Sequence, residues 1–218
     1  MEKIKLERKV LSRNDLLAAE LRSLFERENV AVMNMVSSPG SGKTSLLEKT
    51  LGSLSRKLSI GVIEGDIQTD NDAARIAKTG APVHQIQTGG ACHLEAEMVR
   101  KALTHFRLED LDLLIIENVG NLVCPSAFDL GEGLRVVVIS TTEGDDKPMK
   151  YPAMFRSAQV MVINKMDLLP HTDFDIEKAI NHARSLNPDI KILNTSCRTG
   201  EGLDEWSELV TAFVHENV

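Results

Sequence analysis

The chain predicts a doubly wound α/β fold, a mostly parallel sheet of about seven strands with helices on both faces. Two observations carry this reading. Seven short apolar bursts, rich in Val and Ile and mostly not alternating with polar residues, recur along the 218 residues; strands covered on both faces read this way. Between them lie segments with apolar residues at helical spacing, and the alternation is that of βαβ crossovers, which are right-handed. With 42% hydrophobic residues the chain can build a substantial core.

The bursts fall at residues 30–36, 59–63, 82–86, 112–116, 134–139, 160–163 and 190–193. The helical stripes are clearest at Leu46, Leu47, Thr50, Leu51 and Leu54, and at Leu94, Met98 and Ala102. Ahead of the first burst, Ser12-Arg-Asn-Asp15 fits a capping box. It predicts a helix with Leu16, Leu17, Leu21, Leu24 and Phe25 on one face. No repeat, low-complexity tract or Gly/Ser linker interrupts the chain. The expectation is one domain over 1–218, with 1–29 as an N-terminal helical appendage.

Charge and cysteine content exclude several classes. Lys and Arg number 25 against 32 Asp and Glu, a net charge of −7, so nonspecific nucleic-acid binding is not expected. The N-terminus lacks the apolar region of a signal peptide, and no apolar run approaches the ~20 residues that span a bilayer. A cytoplasmic protein without a membrane partner is expected. Cys92, Cys124 and Cys197 cannot all pair within one chain and are read as thiols.

The first burst runs into Ser37-Ser-Pro-Gly-Ser-Gly-Lys-Thr44, followed by a helical stripe. This nearly matches G-x-x-x-x-G-K-[ST], the loop of P-loop NTPases, with Ser37 in place of the first Gly. Successive backbone N–H groups of such a loop cradle phosphate oxygens, and the following helix adds its positive end. The expected phosphate-binding set is Gly40, Ser41, Gly42, Lys43, Thr44 and Ser45. Lys43 neutralises β- and γ-phosphate charge, and Thr44 ligates Mg²⁺.

The sixth burst ends in Asn164-Lys-Met-Asp167, which looks like the N-K-x-D guanine motif of GTPases. A carboxylate at Asp167 can accept from guanine N1–H and N2–H₂, two donors that adenine lacks in that place. The Lys165 stem can lie against the base, and Asn164 is placed to brace the phosphate loop. The seventh burst leads to Ser196-Cys197-Arg198, resembling the loop whose amide contacts guanine O6. GTP or GDP is the implied nucleotide. A small-molecule kinase is the rival of another class, but no acceptor base stands out.

Two acids compete for the Mg²⁺ shell: Asp66, in Glu64-Gly-Asp66, and Glu117, in Glu117-Asn-Val-Gly120, where GTPases carry D-x-x-G. Gly120 would offer its N–H to a γ-phosphate. Lys43, Asp66 and Glu117 are the catalytic candidates, with Asp66 orienting water. Asn121 stands where Ras-type GTPases have a longer Gln, so slow turnover is expected.

Gly89-Gly-Ala-Cys92-His93 reads as opening the helix that continues through Leu103, a position that would lower the Cys92 pKa. Cys124 precedes Pro125, which favours an extended conformation at Cys124. Two thiolates and an imidazole suit Ni²⁺ or Zn²⁺. The alternative is an apolar stripe of Cys92, Ala96, Val99 and Leu103, since free cysteines commonly pack as small hydrophobes. The residues alone leave both readings open. The loop Glu143-Gly-Asp-Asp-Lys-Pro148 has no evident chemistry and reads as a solvated turn.

Taken together, Gly40–Thr44, Glu64–Asp66, Gly89–His93, Glu117–Pro125, Glu143–Pro148 and Asn164–Asp167 resemble the HypB family, the nickel-inserting GTPases of [NiFe]-hydrogenase maturation. The likeness runs from about Asn29 to the C-terminus. It implies the dimerising P-loop class that includes nitrogenase iron protein, with a homodimer favoured by GTP. It also implies a nickel or zinc site of Cys92, His93 and Cys124 near the dimer interface, and a role for the 143–148 loop at the nucleotide or the facing subunit. The implied partners are a HypA-like nickel protein and the hydrogenase large-subunit precursor. Many relatives carry an N-terminal Cys-rich nickel motif; here the first cysteine is Cys92, so reliance on the interface site or on a nickel-donating partner is expected. Accessory GTPases for urease or a cobalamin enzyme share the nucleotide motifs, but the pattern Cys92-His93…Cys124-Pro125 argues against them.

Overall fold

The computed structural model describes residues 2–66 and 71–218, with side chains from Val10 onward apart from Asn71. The regular elements are α1 (Glu2–Glu28), β1 (Ala31–Ser37), α2 (Lys43–Leu54), β2 (Ile60–Asp66), α3 (Asn71–Ala77), β3 (Val83–Gln87), α4 (Ala96–Ala102), β4 (Leu113–Gly120), β5 (Leu134–Ser140), α5 (Lys147–Lys150), α6 (Pro152–Ser157), β6 (Val160–Asn164), α7 (Ile176–Leu186), β7 (Lys191–Asn194) and α8 (Leu203–Asn217). The seven strands form one sheet in the order β3-β2-β4-β1-β5-β6-β7, and every neighbouring pair is parallel. This is the doubly wound fold that the apolar bursts predict.

Each strand starts within a residue of its predicted start, but β2 and β4 continue to Asp66 and Gly120. The extra residues include Glu64, Glu117 and Asn118, all buried. Polar side chains ended the apolar bursts in the sequence without ending the strands.

Alternation along the strands divides the core. One face carries Met33, Met35, Val62, Ile115, Val136 and Val162, covered by Leu46, Leu47 and Leu51 of α2 and by Trp206 and Val210 of α8. The other face divides in two. Val32, Ile63, Leu114 and Ile116 pack with Ala18, Leu21 and Phe25 of α1 and with Val99 of α4. Val137, Ile139, Met161 and Ile163 pack with Phe155 of α6 and Ala179 of α7. Among the described residues no helix is long and apolar enough to cross a membrane.

The N-terminal expectation needs two corrections. Ser12 does not cap a helix, because α1 is already under way at Glu2 and Ser12 lies inside it. Nor does Leu16 belong to the packed face: it is 70% exposed, whereas Ala18, Leu21 and Phe25 are buried. The packed face is rotated from the one the leucine pattern indicated.

Trp206 is the largest fully buried side chain. Its indole Nε1–H donates to Thr50 Oγ1 at 2.8 Å, which joins α8 to α2. Trp206→Ala should lower the unfolding free energy by about 3–5 kcal/mol. Thr50→Val, which strands the indole N–H, should cost about 1–3 kcal/mol. Denaturant unfolding monitored by circular dichroism measures both.

Candidate nucleotide and metal sites

The sheet order places β1 between β4 and β5, the switch point of a doubly wound sheet, beyond whose carboxyl edge ligands sit. The chain leaves β1 at Ser37, turns through residues 38–42 and enters α2 at Lys43. Gly42 caps α2 at φ 93°, a left-handed conformation, and a Cβ there would collide with Asn164 Nδ2. Only glycine satisfies both constraints.

Three side chains from two other segments, the end of β6 and the start of α5, hold this turn. Asn164 Nδ2 donates to Ser41 O (3.0 Å), Lys165 Nζ to Gly40 O (2.6 Å) and Lys147 Nζ to Ser38 Oγ (3.0 Å). The first turn of α2 contains no acid, so its positive end is not neutralised from within. A cleft of about 570 Å³ opens here, with Gly40, Lys43, Thr44, Ser45, Glu64, Asp66, Arg75 and Gly120 in its walls.

Glu117 lies behind Lys43 and Thr44, fully buried. Its Oε1 accepts from Lys43 Nζ and from Thr44 Oγ1, both at 2.6 Å, while Oε2 is buried without a hydrogen-bond partner. Glu64 is its register partner across β2 and β4, and Glu64 Oε2 likewise has no partner. Burial, reinforced by the Glu117 charge and opposed by Lys43, pushes the Glu64 carboxyl up to about 8. Asp66 ends β2 on the same cleft wall. Thr44, Asp66 and Glu117 offer hard oxygen donors with an orphaned carboxylate oxygen among them, which fits Mg²⁺.

A second cavity of about 370 Å³ adjoins the first, lined by Lys49, Asn164, Lys165, Asp167, Cys197 and Arg198 among others. Lys165 takes a left-handed conformation (φ 62°) to turn the chain after β6, and its carbonyl accepts from Thr141 Oγ1 at 2.7 Å. Met166 N–H donates to Thr195 O (3.1 Å), linking the β6 and β7 loops. Ser196 Oγ donates to Asp167 Oδ1 at 2.6 Å. The Ser196 amide is already committed to Glu201 O. The Cys197 thiol donates to Asn164 Oδ1 at 3.5 Å, and burial pushes its pKa up.

The cysteine–histidine segment departs from expectation. α4 begins only at Ala96, with Glu95 at the position before it, so Cys92 is not at a helix N-terminus. Its pKa is raised rather than lowered, first by its hydrogen bond with Cys124 and then by burial. Cys92 is also off the apolar stripe: Ala96, Val99 and Leu103 are in the core beneath α1, whereas Cys92 is half-buried. Cys124 opens a 3-10 turn, Cys124–Ala127, with Pro125 in its first turn, in place of the extended chain expected before proline.

One ligand atom each from Cys92, His93 and Cys124 lies within 4.8 Å of the others. His93 stacks on Phe128 (centroids 3.9 Å apart). Its Nδ1 is 3.9 Å from Cys92 Sγ, and its Nε2 is buried without a hydrogen-bond partner. Two soft sulfurs and an imidazole suit Ni²⁺ or Zn²⁺.

Sequence reasoning missed three residues at the cleft. Glu64 stood out only as a neighbour of Asp66; its pairing with Glu117 comes from strand register. Arg75 of α3 places Nη2 3.2 Å from Ser45 Oγ and 2.6 Å from Glu48 Oε2, and belongs to no motif. Lys147 reaches Ser38 from the loop read as a solvated turn, while also pairing with Glu143 at 3.0 Å.

The fold, the phosphate loop and the adjoining base-sized cavity define a P-loop nucleotide-binding protein. The family model of the CobW/HypB/UreG nucleotide-binding domain matches residues 31–194. Hydrogenase maturation factor HypB of Azotobacter vinelandii is 57% identical over 205 residues, covering 93% of this chain and 67% of the relative. That of Escherichia coli K12 is 52% identical over 203 residues, covering 93% and 70%. The crystal structure of Helicobacter pylori HypB in complex with nickel matches with a TM-score of 0.89 and 40% identity, covering 94% of this chain and 96% of that one. The chain belongs to the HypB family of hydrogenase maturation factors.

The Glu64 carboxyl generates a pH dependence. Its folded pKa, about 8, lies above the ordinary 4.5. Its contribution to stability is therefore complete below the unfolded value and lost as pH rises through the folded one. Glu64→Gln should flatten the fall in unfolding free energy across that window. Denaturation midpoints measured at intervals from pH 5 to about 8 test this; an unchanged slope would count against the buried pair.

Proposed function

We propose that this protein is a GTP-hydrolysing metallochaperone that delivers nickel during [NiFe]-hydrogenase maturation. One observation carries the reading. Near the end of β4, Glu117 touches Lys43 and Thr44 of the phosphate loop, and the same segment leads through Gly120 to Cys124, beside Cys92 and His93. The nucleotide cleft and a soft-metal donor set thus share a single stretch of chain.

In this reading the amides of residues 40–45 and the end of α2 bind the phosphates. Lys43 turns from Glu117 to β- and γ-phosphate oxygens, and Gly120 presents its N–H to the γ-phosphate. Thr44, Asp66 and Glu117 hold Mg²⁺, which when bound neutralises phosphate charge and orders water. Asp66 orients the attacking water. With Asn121 in place of a longer water-positioning amide, turnover is slow. Asp167 accepts from guanine N1–H and N2–H₂, Ser196 orients that carboxylate, and the base-facing amide is that of Cys197, because Ser196's is engaged. Arg198 and Lys165 flank the base.

Nickel is the cargo, held by Cys92, His93 and Cys124; zinc suits the same donors. Three donors leave a tetrahedral site one ligand short. A GTP-favoured homodimer completes the site at its interface, with the 143–148 loop at the nucleotide or the facing subunit. A HypA-like protein and the hydrogenase large-subunit precursor are the exchange partners, in the cytoplasm. The nickel complex of the H. pylori relative supports the choice of metal.

Two measurements test this. Asp167→Asn should move preference from guanine to xanthine nucleotides, because the amide donates where the carboxylate accepts; unchanged GTP affinity in a binding titration would refute the base assignment. Nickel titration in GDP and in a non-hydrolysable GTP analogue should give different affinities, and Cys92→Ala or Cys124→Ala should abolish stoichiometric binding while sparing nucleotide affinity. Equal nickel affinity in the two nucleotide states would refute the link between the sites.

A further inference from the structure

Consecutive strand residues point to opposite faces of a sheet. On β4, Glu117 faces α2 and the phosphate loop, and Asn118 faces the side covered by α1 and α4. Asn118 is 1% exposed and uses both ends of its amide. Its Oδ1 accepts from Val119 N (3.0 Å) and from Leu94 N (3.2 Å), and its Nδ2 donates to Asn34 Oδ1 (3.3 Å). Asn34 in turn donates to Glu132 Oε1 (3.0 Å), which Arg135 holds at 2.6 Å. This chain fixes which end of the Asn118 amide meets Leu94, because a flipped amide would set donor against donor. Leu94, the residue after His93, is therefore tied to the interior of the sheet.

Cys92 is tied elsewhere. Asn121 Nδ2 donates to Cys92 O at 3.3 Å, and Asn121 Oδ1 accepts from Val123 N at 2.8 Å. Asn121 lies beyond the end of β4, directly after Gly120. The Cys92–His93 dipeptide thus hangs between two supports. Its Leu94 end rests on a buried strand residue, and its Cys92 end rests on the loop that follows the glycine lining the nucleotide cleft. Cys124 belongs to that same loop by covalent continuity.

We propose that Asn121 is the positioning residue through which the Gly120 loop moves Cys92 together with Cys124, while Asn118 anchors the His93–Leu94 end. A displacement of the loop then changes the placement of both thiols relative to the imidazole, a change in donor geometry that a soft metal ion registers as affinity. The inference rests on the nucleotide–metal reading above and names the residue that carries it.

The test compares nickel dissociation constants in GDP and in a non-hydrolysable GTP analogue for the wild type, Asn121→Asp and Asn118→Ala. Asn121→Asp keeps the acceptor for Val123 N and removes the donor to Cys92; the carboxylate charge it adds acts on nickel in both nucleotide states alike, so the ratio is the readout. In the wild type the two constants should differ by about fivefold or more, the usual range of coupling. In Asn121→Asp their ratio should fall to within about twofold of one, with one nickel bound per chain and GDP affinity unchanged. A merely structural role would shift both constants alike and leave the ratio intact. Asn118→Ala should weaken nickel in both states; should that variant not fold, Asn121→Asp alone decides. A wild-type ratio of one refutes the nucleotide–metal reading itself. A wild-type ratio far from one that persists in Asn121→Asp refutes this inference alone.

Discussion

A wholly buried carboxylate has to be neutralised or paired, and at Glu117 that requirement organises the phosphate-loop end of the molecule. The partners it has are Lys43 and Thr44, the first two residues of α2. The pairing draws the end of β4 onto the phosphate loop. It also adds to the burial that pushes the Glu64 carboxyl up, since that carboxyl stands beside a carboxylate that already holds the nearby ammonium. The Lys43 ammonium that a phosphate would draw on is therefore the same one that balances Glu117.

The sheet makes this economical. In a parallel sheet covered on both faces, every strand reports to two helical layers at once. β4 uses that property with adjacent residues, Glu117 toward α2 and Asn118 toward the α1–α4 side. The polar chain Asn118–Asn34–Glu132–Arg135 crosses an otherwise apolar layer without leaving its members unpaired. Such fully satisfied networks hold one arrangement, since partial satisfaction in a low-dielectric interior is costly.

Much of this was legible in the residues. Alternating apolar bursts and helical stripes specify seven strands and their crossovers because burial on both faces demands it. The phosphate loop reads from Gly40–Thr44 because only glycines and a Lys-Thr pair serve that chemistry, and Asn164–Asp167 reads from its place after the sixth burst. Sequence reasoning ended two strands early, because polar residues continue them at Glu64, Glu117 and Asn118. It failed again where local propensity met tertiary packing: Ser12 caps nothing because α1 is already formed, and Leu16 faces water because the packed face is set by the sheet beneath it.

The sequence by itself determined the fold class and the phosphate loop, since these follow from local pattern and side-chain chemistry, and it left Cys92 open between a metal ligand and a small hydrophobe. The tertiary structure decided which groups meet. Strand register set Glu64 beside Glu117, and the delayed start of α4 released Cys92 from the helix stripe toward Cys124. Buried amides chose the supports of Cys92 and Leu94. Pairings between residues distant in the chain depend on register, burial and loop length, and no local pattern encodes these.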